Sequence, residues 1–305
     1  MPALLPGDIQ LRLLNRLLHR DLSNPSHKTN LHTHYNMTYP SDLDSNSFFS
    51  PSLSTQELQP KDPSLHKPLT IKQAMDRKLR WMTLGGQYDW TNKIYPSAPP
   101  PEFPNDIASF IHHLFPDMEP QAAIVNVYSP GDKLNMHRDV SEEIDEGLVS
   151  ISLGCSCIFI IGLADPLTGQ VEKLAFRLHS GDVLYMKGES RLAWHGVARI
   201  EKETCPMFLK AWPGSVLDVY TNWLEGKRIN LNVRQMREAV MKESDYHDGE
   251  RNDGVERVEY VPLDDVVGLR RVGGSDGDSY EDRWSGEEED NEDNEENATV
   301  SPWNA

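Results

Sequence analysis

The sequence predicts a mainly β chain with flanking helices, an α+β arrangement whose core is a β-sandwich or barrel. Two observations carry this reading. From residue 122 onward, period-two alternation and short apolar runs mark strands at 123–128, 134–139, 149–153, 157–162, 173–178, 182–186, 194–199 and 228–233. Turn signals at Pro130-Gly131, Pro166 to Gly169 and Gly181-Asp182 separate several of them. Many short strands at such intervals argue for a closed or sandwiched β architecture.

Residues 9–22 read as an amphipathic helix. Leu11, Leu14, Leu18 and Leu22, with Leu13 and Leu17 beside them, make one apolar face, and Arg12, Arg16 and Arg20 lie on the other. Such a helix packs on a domain. A mitochondrial targeting helix is the alternative, and Asp8 and Asp21 stand against it. Residues 23–70 are rich in Ser, Pro, Asn and His without a sustained period and read as extended loop. His32 and His34 lack a third ligand at a recognisable spacing and read as loop histidines.

A short helix over 71–81 ends in the basic cluster Arg77-Lys78-Leu79-Arg80. In the aromatic stretch that follows, Trp81, Tyr88, Trp90 and Tyr95 flank Gly85-Gly86, which suggests a hairpin. Aromatic rings beside Arg and Lys suit the stacking of a flipped or single-stranded base, although any one of them also suits a core. The helix at 105–115 buries Ile107, Phe110, Ile111 and Leu114 and leaves His112 and His113 solvated. Another helix, 215–224, precedes the last strand, and Arg234 to Glu243 reads as helical again.

The formal net charge of −18 is unevenly placed. Residues 241–305 carry 21 Asp and Glu against 6 Lys and Arg, and are disordered by composition. The remaining chain is close to neutral, so composition does not exclude a nucleic-acid partner. Three cysteines cannot form a disulfide framework and favour a reducing compartment. Cys155 and Cys157 sit in an apolar run and read as small buried hydrophobes. The longest apolar run, Cys157 to Ala164, falls far short of the ~20 residues of a membrane span. With no secretory signal visible, an intracellular protein is expected, nuclear or cytoplasmic, with the mitochondrion as the alternative.

The chemistry concentrates in residues 126–139, Asn-Val-Tyr-Ser-Pro-Gly-Asp-Lys-Leu-Asn-Met-His-Arg-Asp. Strand residues two apart share a face, so His137 and Asp139 can offer an imidazole nitrogen and a carboxylate oxygen to one ion. His195, at the start of a later strand, is placed to be the third ligand. Two His and one carboxylate leave three positions open, the arrangement that non-haem Fe(II) oxygenases require. His-x-Asp alone is common by chance. Arg228-Ile-Asn-Leu-Asn-Val-Arg234 adds to it, because Arg228, Asn230, Asn232 and Arg234 share one face opposite Ile229, Leu231 and Val233. Polar groups facing inward are costly unless something anionic meets them, and the planar fork of Arg fits a carboxylate. A dicarboxylate that also chelates iron, such as 2-oxoglutarate, satisfies both, with Asn126 and Tyr128 bonding its other oxygens. The alternative is an edge strand whose polar face meets solvent.

Asn-x-Tyr-x-Pro-Gly, His-x-Asp, Ser-Leu-Gly, Ser-Gly-Asp-Val, Ser-Arg-x-x-x-His and Arg-x-Asn-x-x-x-Arg, in that order over about 120–236, resemble the AlkB family of Fe(II)/2-oxoglutarate-dependent dioxygenases. Leu-Arg-Trp-Met-Thr-Leu-Gly-Gly-Gln-Tyr-Asp-Trp at 79–90 and the ending Lys-Arg-Ile-Asn-Leu-Asn-Val-Arg-Gln are similar to its eukaryotic homologue-one branch, in a fungal-like form. The resemblance implies a double-stranded β-helix core, jelly-roll or cupin-like, under an N-terminal nucleotide-recognition lid. It divides the chain into an N-terminal helix and loop (1–70), lid and helix (71–120), dioxygenase core (121–240) and acidic tail (241–305).

It also implies that His137, Asp139 and His195 ligate Fe(II), while Asn126, Tyr128, Arg228, Asn230 and Arg234 hold 2-oxoglutarate, with Arg228 on its distal carboxylate. Trp81, Tyr88 and Trp90 would flank a flipped base, and Glu142 stands where the bacterial protein has an acidic base-contacting residue. Ser141 departs from the acidic residue found beside it there. The implied activity consumes O2 and 2-oxoglutarate to demethylate N-methylated bases, chiefly methyladenine, in tRNA or DNA, by a monomer without membrane association. Two alternatives stay open: a 2-oxoglutarate oxygenase of protein or small molecules, and an iron-independent nucleic-acid-binding protein or abasic-site lyase using a Lys amine.

Overall fold

The computed structural model of the chain describes residues 1–41, 47–89, 94–164, 168, 170–213 and 218–238. In chain order the strands are β1 (Tyr35–Asn36), β2 (Glu57–Pro60), β3 (Leu69–Thr70), β4 (Trp81–Gly85), β5 (Ala122–Tyr128), β6 (Leu134–His137), β7 (Leu148–Gly154), β8 (Cys157–Ala164), β9 (Val171–Leu178), β10 (Val183–Met186), β11 (Trp194–Ile200) and β12 (Arg228–Arg234). Strands β10-β7-β12-β5-β4 form one sheet, β6-β11-β8-β9 a second, and β1-β2-β3 a small third. All pairings are antiparallel. From β7 the chain crosses to β8 and β9, then alternates sheets through β10, β11 and β12. This is the double-stranded β-helix, and all eight strands read from alternation are present in it.

Strand β12 shows why the sequence folds this way. It is central, paired over all seven residues with β5 on one side and β7 on the other. Ile229, Leu231 and Val233 are fully buried in the continuous apolar core with Val125, Val149 and Ile151. Each such side chain contributes about 1.5–3 kcal/mol on leaving water. The pairing then fixes what shares the opposite face. Arg228 sits opposite Tyr128, and Asn230 sits between Asn126 and Ser152. A one-residue slip would exchange the two faces, so core burial sets the register of the polar groups.

The first helix spans Gly7–Asn15 as α-helix and continues in π geometry over Arg16–Asp21. Leu13, Leu14, Leu17, Leu18 and Leu22 join the core. On its other side Arg20 bonds Asp106 at 2.7 Å, at the start of the helix Asn105–Leu114. Four expectations need correction. Residues 23–70 are not all loop, because they contain β1, β2 and β3. Segment 81–95 is not a simple hairpin, because β4 pairs with β5 and the chain turns away at Gly85, whose φ is +61°. A Cβ there would meet the Gln121 carbonyl oxygen at 2.3 Å, so only glycine permits this close turn. The helix expected at 215–224 is represented, where described, by 3-10 turns at Asp218–Tyr220 and Trp223–Gly226. Arg234 ends β12, and 235–238 are not helical. The acidic tail lies outside the described residues. Among those described, no helix is long and apolar enough to cross a membrane.

Candidate active site

Residues His137 and His195 are direct partners across β6 and β11, so sheet pairing alone sets their imidazoles side by side, 4.4 Å between centroids. Each ring has Nδ1 3.0 Å from a backbone carbonyl, of Asn135 and Ala193 respectively. Donation of Nδ1–H to those carbonyls leaves Nε2 as the ligand atom. The Asp139 carboxylate lies 3.7 Å from Nε2 of His137 and 3.8 Å from Nε2 of His195. Among the described residues this trio is the one cluster of His, Cys, Asp and Glu able to hold a metal, its ligand atoms all within 4.8 Å of one another. Asp139 does not lie on the strand face expected for it: β6 ends at His137 and Asp139 follows in a loop.

Burial opposes ionisation of Asp139, but Arg234, then His195, His137 and Arg191, outweigh it and hold the carboxyl below its usual range. Burial also lowers the pKa of His195 against the pull of Asp139, favouring the neutral imidazole that a metal needs. Two imidazole nitrogens and one carboxylate, confined to one side, fit Fe(II) with positions left for a chelating co-substrate and O2.

The same cleft, about 440 Å³ including its mouth, is lined by Asn126, Tyr128, Arg228, Asn230, Asn232 and Arg234 together with both histidines. Arg228 is 1% exposed and donates Nη2 to Ser152 Oγ at 2.9 Å. Its Nε and Nη1, the Tyr128 hydroxyl and Oδ1 of Asn232 are buried without a hydrogen-bond partner among the described residues. The guanidinium lies 5.4 Å above the Tyr128 ring, which compensates only part of its charge. Donors this costly to bury unpaired fit the carboxylate of an entering dicarboxylate. Asn230 is partly committed elsewhere, to Ser150 Oγ at 2.8 Å and the Ile151 carbonyl at 3.1 Å.

Arg234 is also committed. Its Nη2 donates to Asp139 Oδ2 at 2.9 Å and its Nη1 to Glu142 Oε1 at 3.2 Å. Glu142 does not face an open surface. Its side chain is 1% exposed, and its second oxygen accepts from Arg191 at 2.8 Å. Trp81, paired opposite Asn126 on β4, is 7% exposed and shares the inner face. Tyr88 lies within 3.1 Å of Ser141 Oγ, beside the loop that carries Asp139. Trp90 lies outside the described residues.

Sequence reasoning gave no role to Arg191, Ser150 or Ser152, and placed Tyr95 only among the aromatic rings suited to stacking a base. Tyr95 stacks edge-on to Tyr88 at 5.3 Å and reaches Arg234 Nη1 at 3.5 Å. The two serines were visible as inner-face positions of 149–153. Arg191 was visible in Ser-Arg-x-x-x-His, but nothing in the spacing told what it holds.

The model of the 2OG-Fe(II) oxygenase superfamily matches residues 32–234. The chain is 51% identical, over 78% of its length and 73% of the relative's, to "N6-methyladenosine RNA demethylase ALKB1" of Pyricularia oryzae. It is 51% identical, over 68% of its length and all of the relative, to "N6-methyladenosine RNA demethylase ALKBH" of Cryphonectria parasitica. It is 38% identical, over 76% of both chains, to "tRNA demethylase abh1" of Schizosaccharomyces pombe. With the triad, the β-helix and these likenesses together, the chain belongs to the 2OG-Fe(II) oxygenase superfamily and, within it, to the homologue-one branch of the AlkB family.

Proposed function

We propose that this protein oxidatively demethylates N-methylated bases, methyladenine foremost, in tRNA or DNA. The observation that carries the proposal is one cleft lined both by His137 and His195, which meet Asp139 in the triad, and by Arg228 with its unpaired buried donors. Relatives named as RNA and tRNA demethylases supply the substrate class. Fe(II) with 2-oxoglutarate and O2 supplies the insertion of one oxygen atom into a methyl C–H bond, the other passing into succinate as CO2 leaves. The N-hydroxymethyl product then loses formaldehyde, leaving N–H on the base.

In this reading His137, Asp139 and His195 hold the iron, and Arg228 clamps the distal carboxylate. Tyr128 donates its hydroxyl to the same anion, while Asn126 and Asn230 border it. Tyr88 and Trp81 are the ring candidates beside the base, together with Trp90. On the outer face of the ligand-bearing strands, Arg138 lies 5.3 Å above the ring of Trp194, which is 45% exposed, a pairing that suits a polyanion with stackable bases. The protein acts as a monomer in the nucleus or cytoplasm on this reading.

The test is formaldehyde release from a panel of methylated tRNA and DNA oligonucleotides with Fe(II) and 2-oxoglutarate. Release that is lost in His137→Ala and on chelation is the expected result. Release from methylated peptides but not from oligonucleotides would overturn the substrate class. Turnover that survives both removals would overturn the oxygenase assignment in favour of iron-independent chemistry.

A further inference from the structure

Asp139 lies two residues past the end of β6, in a stretch without helix or strand that continues to Gly147. The strand pairing that fixes His137 against His195 therefore does not fix Asp139. A single guanidinium does much of that work. Arg191 donates Nη1 to the backbone carbonyl of Asp139 at 2.7 Å, Nε to that of Glu146 at 2.7 Å, and Nη2 to Glu142 Oε2 at 2.8 Å. It thus grips both ends and the middle of the loop. Arg191 belongs to the 3-10 turn Gly188–Leu192, just ahead of His195. The loop bearing one ligand is tied to the turn that leads to another.

Glu142 completes the circuit. Its remaining oxygen accepts from Arg234, which in turn holds the Asp139 carboxylate. Side-chain exposures are 2% for Arg191, 1% for Glu142, 5% for Arg234 and 6% for Asp139. Two cations and two anions are closed off from water with their charges balanced. Turning Glu142 toward a base edge would leave two buried arginines short of counter-charge.

We infer that Arg191 and Glu142 are positioning residues for the metal ligand Asp139 and for Arg234, and that Glu142 serves the metal side of the site and does not read the base. The inference rests on the triad being the iron site. It replaces the base-contacting role that the family resemblance suggested for Glu142.

The experiment is Mn(II) titration of the full chain by calorimetry, on wild type, Glu142→Gln, Arg191→Met and the exposed-carboxylate control Glu143→Gln. Glu142→Gln removes a negative charge and Arg191→Met a positive one. A field effect alone would weaken cation binding in the first and strengthen it in the second, whereas loss of positioning weakens both. We expect Mn(II) affinity about tenfold or more weaker in both, with Glu143→Gln near wild type. Where Arg191→Met fails to melt cooperatively, Arg191→Lys takes its place and must weaken binding as well, because one ammonium cannot make three fixed bonds. At saturating metal, the KM for methylated oligonucleotide and the preference among methylated bases stay unchanged in Glu142→Gln. Wild-type Mn(II) affinity in Glu142→Gln, or an altered base preference, overturns the inference. A wild-type protein that binds no Mn(II) fails differently, since that result removes the iron site itself.

Discussion

Replacing Arg228 by Met should have effects of opposite sign on ligand binding and on the stability of the ligand-free protein. The guanidinium is 1% exposed, with one bond to Ser152 and two nitrogens unpaired among the described residues. Two charge-assisted bonds to a carboxylate contribute about 1.5–3 kcal/mol each. Losing both costs about 3–6 kcal/mol, a factor of roughly 150 to 20,000 in the Kd for 2-oxoglutarate. Without ligand the sign reverses. A buried cation lacking a counter-ion is destabilising, and a methionine of similar reach removes that burden at the cost of one bond to Ser152, about 1 kcal/mol. The ligand-free variant should therefore unfold at the same urea concentration as wild type or a higher one.

Urea titrations with and without Mn(II) and 2-oxoglutarate read both effects. Wild type at 100 times its Kd gains about 2.7 kcal/mol, while the variant at the same concentration gains almost nothing. A variant that keeps the wild-type Kd would refute the assignment of Arg228 as the carboxylate clamp. A ligand-free variant destabilised by about 3 kcal/mol or more would show instead that the guanidinium is a structural group.

Lys227 offers a test by pH. Burial first, then the charge of Arg80, pulls its ammonium down to about 8, whereas it titrates near 10.4 in the unfolded chain. Between these values the unfolded state binds more protons, so stability rises with pH across that window by about 3 kcal/mol. A Lys227 ¹³Cε resonance that titrates above pH 10 in the native protein would refute it. Burial raises the pKa of Cys155 and Cys157, and pushes Cys205 up to about 12. All three buried thiols should resist a disulfide reagent at pH 8 until denaturant is added, and rapid native-state reaction of any one would contradict that. Gly154 has φ +84°, and a Cβ there would meet the Lys227 carbonyl oxygen at 2.4 Å. Gly154→Ala should lose about 1–3 kcal/mol in urea unfolding, and a loss below about 0.5 kcal/mol would mean that the turn relaxes freely.

The strands were legible because a sheet with a buried face writes its period into the sequence. Residues 228–234 alternate without exception, and the pairing of β12 with β5 and β7 follows that alternation. His137 and His195 were legible as types but not as neighbours, since their pairing depends on two strands far apart in sequence. Asp139 was assigned to the right cluster by an argument that the structure changes: a loop held by arginines presents it, not a strand face. Glu142 was harder still. A carboxylate in a polar stretch reads the same whether it meets a base or two buried arginines, and only the fold brings Arg191 and Arg234 to it.

The two ends of β12 separate the charge that structure requires from the charge that awaits a ligand. Arg228 and Arg234 lie on one face, six residues or about 20 Å apart, held by the same ladders. Folding cost alone would disfavour both. At the Arg234 end the protein supplies two carboxylates of its own, Asp139 and Glu142. At the Arg228 end it supplies, among the described residues, one serine hydroxyl and the face of a tyrosine ring. A cation retained in a core without a counter-ion marks where one must come from outside. On the proposed assignment, the strand that clamps the incoming anion at one end steadies the metal ligand Asp139 at the other, and the register of one central strand sets how far the anion site stands from the metal. An inserted residue within β12 would turn one end of that face into the core, and should therefore abolish metal and 2-oxoglutarate binding together or unfold the sheet.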